Sequence, residues 1–152
     1  MNDNKPQVKL ISKPDNILKT IYTACRTCYS ADTPLNIFDK DVDEEKMMSL
    51  IKRVIGSGHY STIEHIQVSF AISNISRACT HQLVRHRHMS FSQKSQRYVK
   101  EKGQFDFLIP QTIEKDEELR KKFVDFMGEI SKKYLEFTEA GIPAEDARAV
   151  LP

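Results

Sequence analysis

At 152 residues the chain has the length of one domain, able to bury roughly 68–70% of the surface its unfolded form exposes. Its 39% hydrophobic and 29% charged residues are ordinary globular composition, and a net charge of +2 excludes a global field as the source of any anion affinity. No apolar run approaches the roughly 20 residues of a membrane span, and the polar start Met1-Asn2-Asp3-Asn4-Lys5-Pro6 is no signal peptide, so a cytoplasmic location is expected.

Val8, Leu10 and Ile11 predict a short opening strand that stops at Pro14. Asp15 and Asn16 are positioned to cap a helix over 15–28, with Ile17, Leu18, Ile21, Ala24, Cys25 and Cys28 on one side. Residues 30–41 contain Pro34, Asn36, Asp39 and Asp41 and read as an exposed loop. A second helix, 43–56, begins in Asp43-Glu44-Glu45, where acids suit the positive helix end. Its stripe is Met47, Leu50, Ile51, Val54 and Ile55, and Gly56 and Gly58 end it.

Over 64–72 the residues alternate. Ile66, Val68, Phe70 and Ile72 share one face, so a strand with one core face is expected. From Ser76 to about Val84 the period lengthens, with Ile75, Cys79 and Leu83 four apart, predicting a helix that delivers Arg85 to its end. Phe105 to Ile109 has no helical rhythm and reads as a strand or extended segment before Pro110. A long helix is predicted over 112–140, burying Leu119, Phe123, Phe126, Met127, Ile130, Tyr134 and Phe137. Gly141 closes it, and a last helix runs from Ala144 to about Leu151. The expected fold class is α+β, a mainly antiparallel sheet packed by helices, in a single domain over 1–152.

The three cysteines, Cys25, Cys28 and Cys79, are odd in number and lack a secretion signal, which argues against a disulfide framework. Cys25 and Cys28 have redox or zinc-knuckle spacing, yet a complete zinc site needs a second pair. At i and i+3 of an amphipathic pattern they are expected as small buried thiols. A polar group precedes the strand: His59, Ser61, Glu64 and His65. Without a helical His-Glu-x-x-His spacing no metal is expected there. One reading is a loop with Ser61 capping its turn; the other is that Ser61 and Glu64 reach a ligand.

Residues 85–98 are the most informative stretch. Arg85, Arg87, Lys94 and Arg97 stand with His86 and His88 among hydroxyls, Gln93, Gln96, Phe91 and Tyr98, with no acid between them. The charges are a solvated turn, a nucleic-acid surface, or a site for a small phosphorylated ligand. Arginine forks match phosphate oxygens, while Tyr98 and Phe91 are able to stack on bases. A nearly neutral chain is poorly built to bind long polyanions. Mixed Ser, Gln and Arg donors suit a defined ligand better.

Arg85-His86-Arg87, followed by seven residues and Ser95, resembles the signature of the flavin-dependent thymidylate synthases. Ser90, Ser95 and Arg97 extend the match, as do Gly58-His59-x-Ser61-x-x-Glu64-His65 upstream and Gln82 just before the signature. Gly141-Ile142-Pro143 and Ala147-Arg148-x-Val150-Leu151-Pro152 continue it to the end. The departures are Ser92, where the family often has Asn, and Gln93, where it often has Glu; Gln93 cannot act as a carboxylate.

The resemblance implies reductive methylation of deoxyuridylate (dUMP) to thymidylate (dTMP), with methylenetetrahydrofolate and NADPH as co-substrates and FAD as cofactor. It implies flavin binding by Ser61, Glu64, Arg85, His86 and Arg87. Gln82, Arg85, Gln93, Ser95, Gln96, Arg97 and Arg148 are implied for the nucleotide. It assigns ring activation to an arginine beyond Pro152, so no catalytic residue is named in this chain, which is expected to lack the family's C-terminal part and its full activity. The partners implied are dUMP, folate and further copies in a homotetramer, with no nucleic acid and no membrane. The alternative is a nucleic-acid-binding domain using residues 85–100.

Overall fold

The structure, a computed structural model, describes residues 5–152; over residues 1–4 the polar start lies outside the described residues. The described chain divides into two compact units, Val8–Ile72 and Ser73–Pro152, the latter with the segment before Val8. The α+β class holds: helices dominate, and strands β1 (Gln7–Ser12) and β2 (Ser69–Ser73) form a two-stranded antiparallel sheet.

In the first unit, α1 (Ile17–Thr27) packs against α2 (Pro34–Asp39), α3 (Glu44–Gly56) and a 3-10 turn at Tyr60–Ile63. The cap predicted for α1 is not made; Asn16 stands at the N-cap with no side-chain hydrogen bond to the helix. Residues 30–41 are not simply a loop. Thr33 Oγ1 accepts from Asn36 N–H at 3.3 Å, and Pro34 takes the first helical turn, where its missing N–H costs nothing. The short helix so formed buries Ile37. Cys25 is buried but Cys28 is exposed, because α1 ends at Thr27 and Cys28 is its C-cap.

Asp43 caps α3 through Oδ1, which accepts from Glu45 N–H at 2.9 Å, and Met47 and Ile51 are buried. Gly58, at φ +88°, ends it. Its N–H reaches Ile55 C=O at 2.9 Å while His59 N–H reaches Val54 C=O at 3.3 Å, the paired reverse bonds of a Schellman cap. The strand expected over 64–72 begins only at Ser69, and its apolar face is not a core: Val68, Phe70 and Ile72 are 44%, 52% and 42% exposed. Alternation identifies an apolar face without identifying what covers it.

In the second unit, Asn74 turns the chain at φ 56° and Ser76 Oγ caps α4 (Arg77–Leu83) by accepting from Cys79 N–H at 3.1 Å. Cys79 is exposed, and Thr80 is the buried residue of this helix. Phe105 to Ile109 forms neither helix nor strand. The long helix predicted at 112–140 is two: α5 (Gln111–Glu114) and α6 (Glu117–Glu139). They part at Asp116, whose Oδ1 accepts from Glu118 and Leu119 N–H, both at 3.0 Å. Leu119 and Phe126 of the predicted stripe are exposed, while Met127, Ser131 and Tyr134 are buried.

Phe105 packs into this core, its ring edge-on to Phe107 at 6.1 Å, and Phe107 in turn meets Phe123 of α6 at 6.0 Å. α6 also carries α7 (Ala144–Ala147) and the 3-10 turn Arg148–Val150, with Ala144 and Ala147 buried. That packing sets Arg148 beside the basic run.

Candidate functional site

Four residues of the predicted nucleotide set meet in the second unit. Gln93, Ser95, Gln96 and Arg148 line one cleft of about 680 Å³, within the range of small-ligand sites. Its other walls are Arg77 and His81 from α4, Lys94 from the basic run, and Glu145, Ala149, Leu151 and Pro152. Gln82 and Arg85, from the same predicted set, are not in its lining. Arg97 is tied to the lining through Glu145, its Nη2 lying 2.9 Å from Glu145 Oε2.

The fold supplies the acids that the run lacks in sequence. Lys94 Nζ is 2.6 Å from Glu101 Oε1, and Arg97 also donates from Nε to Glu145 Oε2 at 3.0 Å while lying 5.5 Å from the Tyr98 ring centroid. The positive charge of the run is therefore partly paired. Arg148 Nε donates to the Glu145 carbonyl at 3.1 Å, so Glu145 touches both arginines, one through its carboxylate and one through its backbone. Ser95 Oγ accepts from Arg97 N–H at 3.2 Å, which shapes the run. Gln93 Nε2 donates to Thr80 Oγ1 at 2.7 Å, and Arg77 Nη2 reaches the Lys94 carbonyl at 3.3 Å; these two contacts fasten the run to α4.

Arg77, His81, Lys94 and Glu145 were not singled out for the site by sequence reasoning. Arg77 and His81 had a signal, their i, i+4 spacing on α4, which places them on one helix face. Lys94 stood inside the run itself. Glu145 had none, since its partner is 48 positions away.

The predicted flavin residues divide between the units. Arg85, His86 and Arg87 follow directly on α4, all exposed. His86 Nδ1 lies 2.9 Å from the Leu83 carbonyl, so this nitrogen carries the proton and fixes the ring. The side chains of Arg85 and Arg87 make no ion pair among the described residues. In the first unit, Ser61 lies in the 3-10 turn and Glu64 is its C-cap, both exposed. The two guanidinium forks of Arg85 and Arg87, which follow each other on one exposed segment, are donors chemically suited to a phosphate. Among the described residues no group of three or more His, Cys, Asp or Glu is placed to hold a metal ion, and no helix is long and apolar enough to cross a membrane.

Fold and cleft together define an α+β protein with a cation-lined groove sized for a small ligand. The chain belongs to the thymidylate synthase complementing protein family, whose model matches residues 9–152. It is 40% identical over 149 residues to a flavin-dependent thymidylate synthase of Pyrococcus abyssi, covering 96% of this chain and 61% of that protein. A flavin-dependent thymidylate synthase of Nitratidesulfovibrio vulgaris is 37% identical over 164 residues, covering 100% of this chain and 66% of the relative. One from Clostridium tetani is 42% identical over 130 residues, 84% of this chain and 51% of the relative. The chain thus spans about three fifths of the length of such relatives. In structure it is similar to a UMP/dUMP methylase, PolB, from Streptomyces cacaoi, solved with 5-Br dUMP. The TM-score is 0.81 at 22% identity, over 97% of this chain and 68% of that one, a likeness of fold.

Proposed function

We propose that this chain serves a flavin-dependent thymidylate synthase, converting dUMP to dTMP with methylenetetrahydrofolate and NADPH, in the cytoplasm and as a homotetramer. The observation that carries the reading is the convergence of Gln93, Ser95, Gln96 and Arg148 on one cleft in a chain of this family. A nucleoside monophosphate offers that cleft a dianion for Arg148 and Arg97, through charge-assisted bonds, and a base edge for the glutamines. Lys94 and Arg77 add positive charge to the same walls.

Arg85, His86 and Arg87, with Ser61 and Glu64, are the residues that would hold FAD. The arginine forks would take its phosphates, and His86 would be held in orientation by the Leu83 carbonyl. Bound flavin supplies the hydride, and the chain supplies orientation and charge. Sequence and geometry name no residue of this chain as the group that activates the uracil ring.

The test is binding followed by turnover. Purified protein should titrate FAD to a bound-flavin absorbance, bind dUMP in calorimetry, and be assayed for tritium release from 5-tritiated dUMP. A well-folded sample that takes neither FAD nor dUMP would sink the assignment. Steeply salt-dependent binding of any oligonucleotide, without dUMP selectivity, would replace it with the nucleic-acid reading.

A further inference from the structure

The hydrogen bond between Thr80 and Gln93 has a direction that chemistry fixes. A threonine hydroxyl owns one proton. Thr80 Oγ1 gives it to the Arg77 carbonyl at 2.9 Å, a group able only to accept. At Oγ1 only lone pairs remain for Gln93, 2.7 Å away, so the glutamine must present its NH₂ and not its oxygen. The amide orientation, ordinarily ambiguous, is determined here by a buried partner. Gln93 Oε1 is left without a donor among the described residues, on a side chain that lines the cleft.

We infer that Thr80 is a positioning residue that holds Gln93 as a one-way acceptor, making the cleft selective for pyrimidine bases with an N3–H. This rests on the nucleotide reading above. Uracil and thymine carry a proton on N3 and donate it to Oε1. Cytosine has a lone pair at N3, which opposes the lone pairs of Oε1. A free glutamine would turn its amide and accommodate either base. One held by Thr80 must give up that hydrogen bond to do so, or draw the hydroxyl proton away from the Arg77 carbonyl, and a polar contact left unmade at Thr80 discriminates between close analogues. Because thymine shares the imide, this contact separates dUMP and dTMP from dCMP without separating the first two.

The test is calorimetric binding of dUMP, dTMP and dCMP to the 152-residue protein and three variants. Wild type should prefer dUMP and dTMP over dCMP by at least about 100-fold, as expected where a site is built to satisfy a polar edge. Thr80→Val, nearly isosteric, should narrow the dUMP:dCMP ratio by about tenfold or more through the freed amide, while deoxyribose 5-phosphate binds as before. Thr80→Ser should restore the ratio. Gln93→Leu, at an exposed side chain, should narrow it as well without disturbing the interior. An unchanged ratio in both Thr80→Val and Gln93→Leu, or an equal loss for every ligand, overturns the inference and leaves dUMP binding standing. Wild type that binds no nucleotide overturns both the inference and the reading beneath it.

Discussion

Arg97 and Glu145 meet across 48 positions of sequence, with guanidinium Nε and Nη2 both within 3.0 Å of one carboxylate oxygen. Both side chains are about half exposed, so the pair adds little to stability. Its consequence is electrostatic: a carboxylate lines the cleft proposed for a phosphate dianion and occupies an arginine proposed to bind it. Glu145→Gln should tighten dUMP roughly threefold to tenfold at low salt, in keeping with removal of a like charge at partial exposure. The gain should shrink in 0.5 M salt, and the melting temperature should hardly move. Calorimetry at two ionic strengths checks it; weaker dUMP binding would mean that Glu145 instead positions Arg97.

Among the described residues Arg148 is held by a single nitrogen, Nε, on the Glu145 carbonyl, which leaves its outer amines to a ligand. Arg148→Ala should weaken dUMP by roughly 10- to 100-fold, the worth of a charge-assisted pair. Deoxyuridine, which lacks the phosphate, should be nearly unaffected. Arg148→Lys keeps the charge without the fork and should recover only part of the loss. Equal losses for nucleotide and nucleoside would place Arg148 at the base instead.

What was legible in the sequence follows from how local each cause is. The start of α3 was readable because Asp43 bonds N–H groups two and three residues onward. Its end was readable because a left-handed turn at Gly58 is a property of one residue. Asp116 obeys the same rule and splits α5 from α6, and the predicted apolar stripe, which begins at Leu119, starts only after it. Four cleft residues were found from a motif, while Glu145 and Thr80 act on partners 48 and 13 positions away. No periodicity reports such pairings. The exposed face of β2 shows the same limit, since a pattern specifies an apolar surface and only tertiary structure supplies its cover.

In the first unit, Lys40 donates to the Asp32 carboxylate at 2.6 Å and Ser30 Oγ lies 3.5 Å from it. The hydrogen bond and charge of Lys40 hold the Asp32 carboxyl below its usual range. A depressed folded pKa adds stability above the unfolded value, and that contribution is lost as pH falls through the folded one. Carbon-detected NMR should show Asp32 titrating below the ordinary value of about 3.9, and Lys40→Met should raise it towards that value, with Ser30 and Arg26 still lowering it. The part of any stability difference between Lys40→Met and wild type that comes from the Asp32 charge should vanish once the pH is below the folded pKa.

Tyr134 is 1% exposed and its hydroxyl accepts from Glu101 N–H at 3.4 Å, a long hydrogen bond. Ring and hydroxyl should separate cleanly. Tyr134→Phe should cost no more than about 1 kcal/mol, the low end for an intramolecular hydrogen bond. Tyr134→Ala, which empties a ring-sized volume beside Met127 and Ser131 on the buried face of α6, should cost about 3–5 kcal/mol. Denaturant unfolding at constant m-value measures both.

Gly141 ends α6 at φ +88°, with its N–H on Thr138 C=O at 3.2 Å and Ile142 N–H on Phe137 C=O at 3.0 Å. A Cβ added there meets nothing within 4 Å, so any cost of Gly141→Ala is conformational and not steric against the rest of the fold. An L-residue in this region costs about 1–2 kcal/mol, offset slightly because alanine also restricts the unfolded chain. We expect a loss of about 1 kcal/mol and a melting temperature lower by roughly 2–4 °C for a chain of this size. Gly141→Asn should lose less, since Asn tolerates the left-handed region. Because Gly141 sets the turn from α6 into α7, which carries Ala144, Ala147 and the approach to Arg148, a loss well above that range would show that the variant moves the turn itself. The dUMP affinity of Gly141→Ala then distinguishes the two outcomes: unchanged for a local conformational cost, and reduced where the displaced turn carries Arg148 away from the cleft.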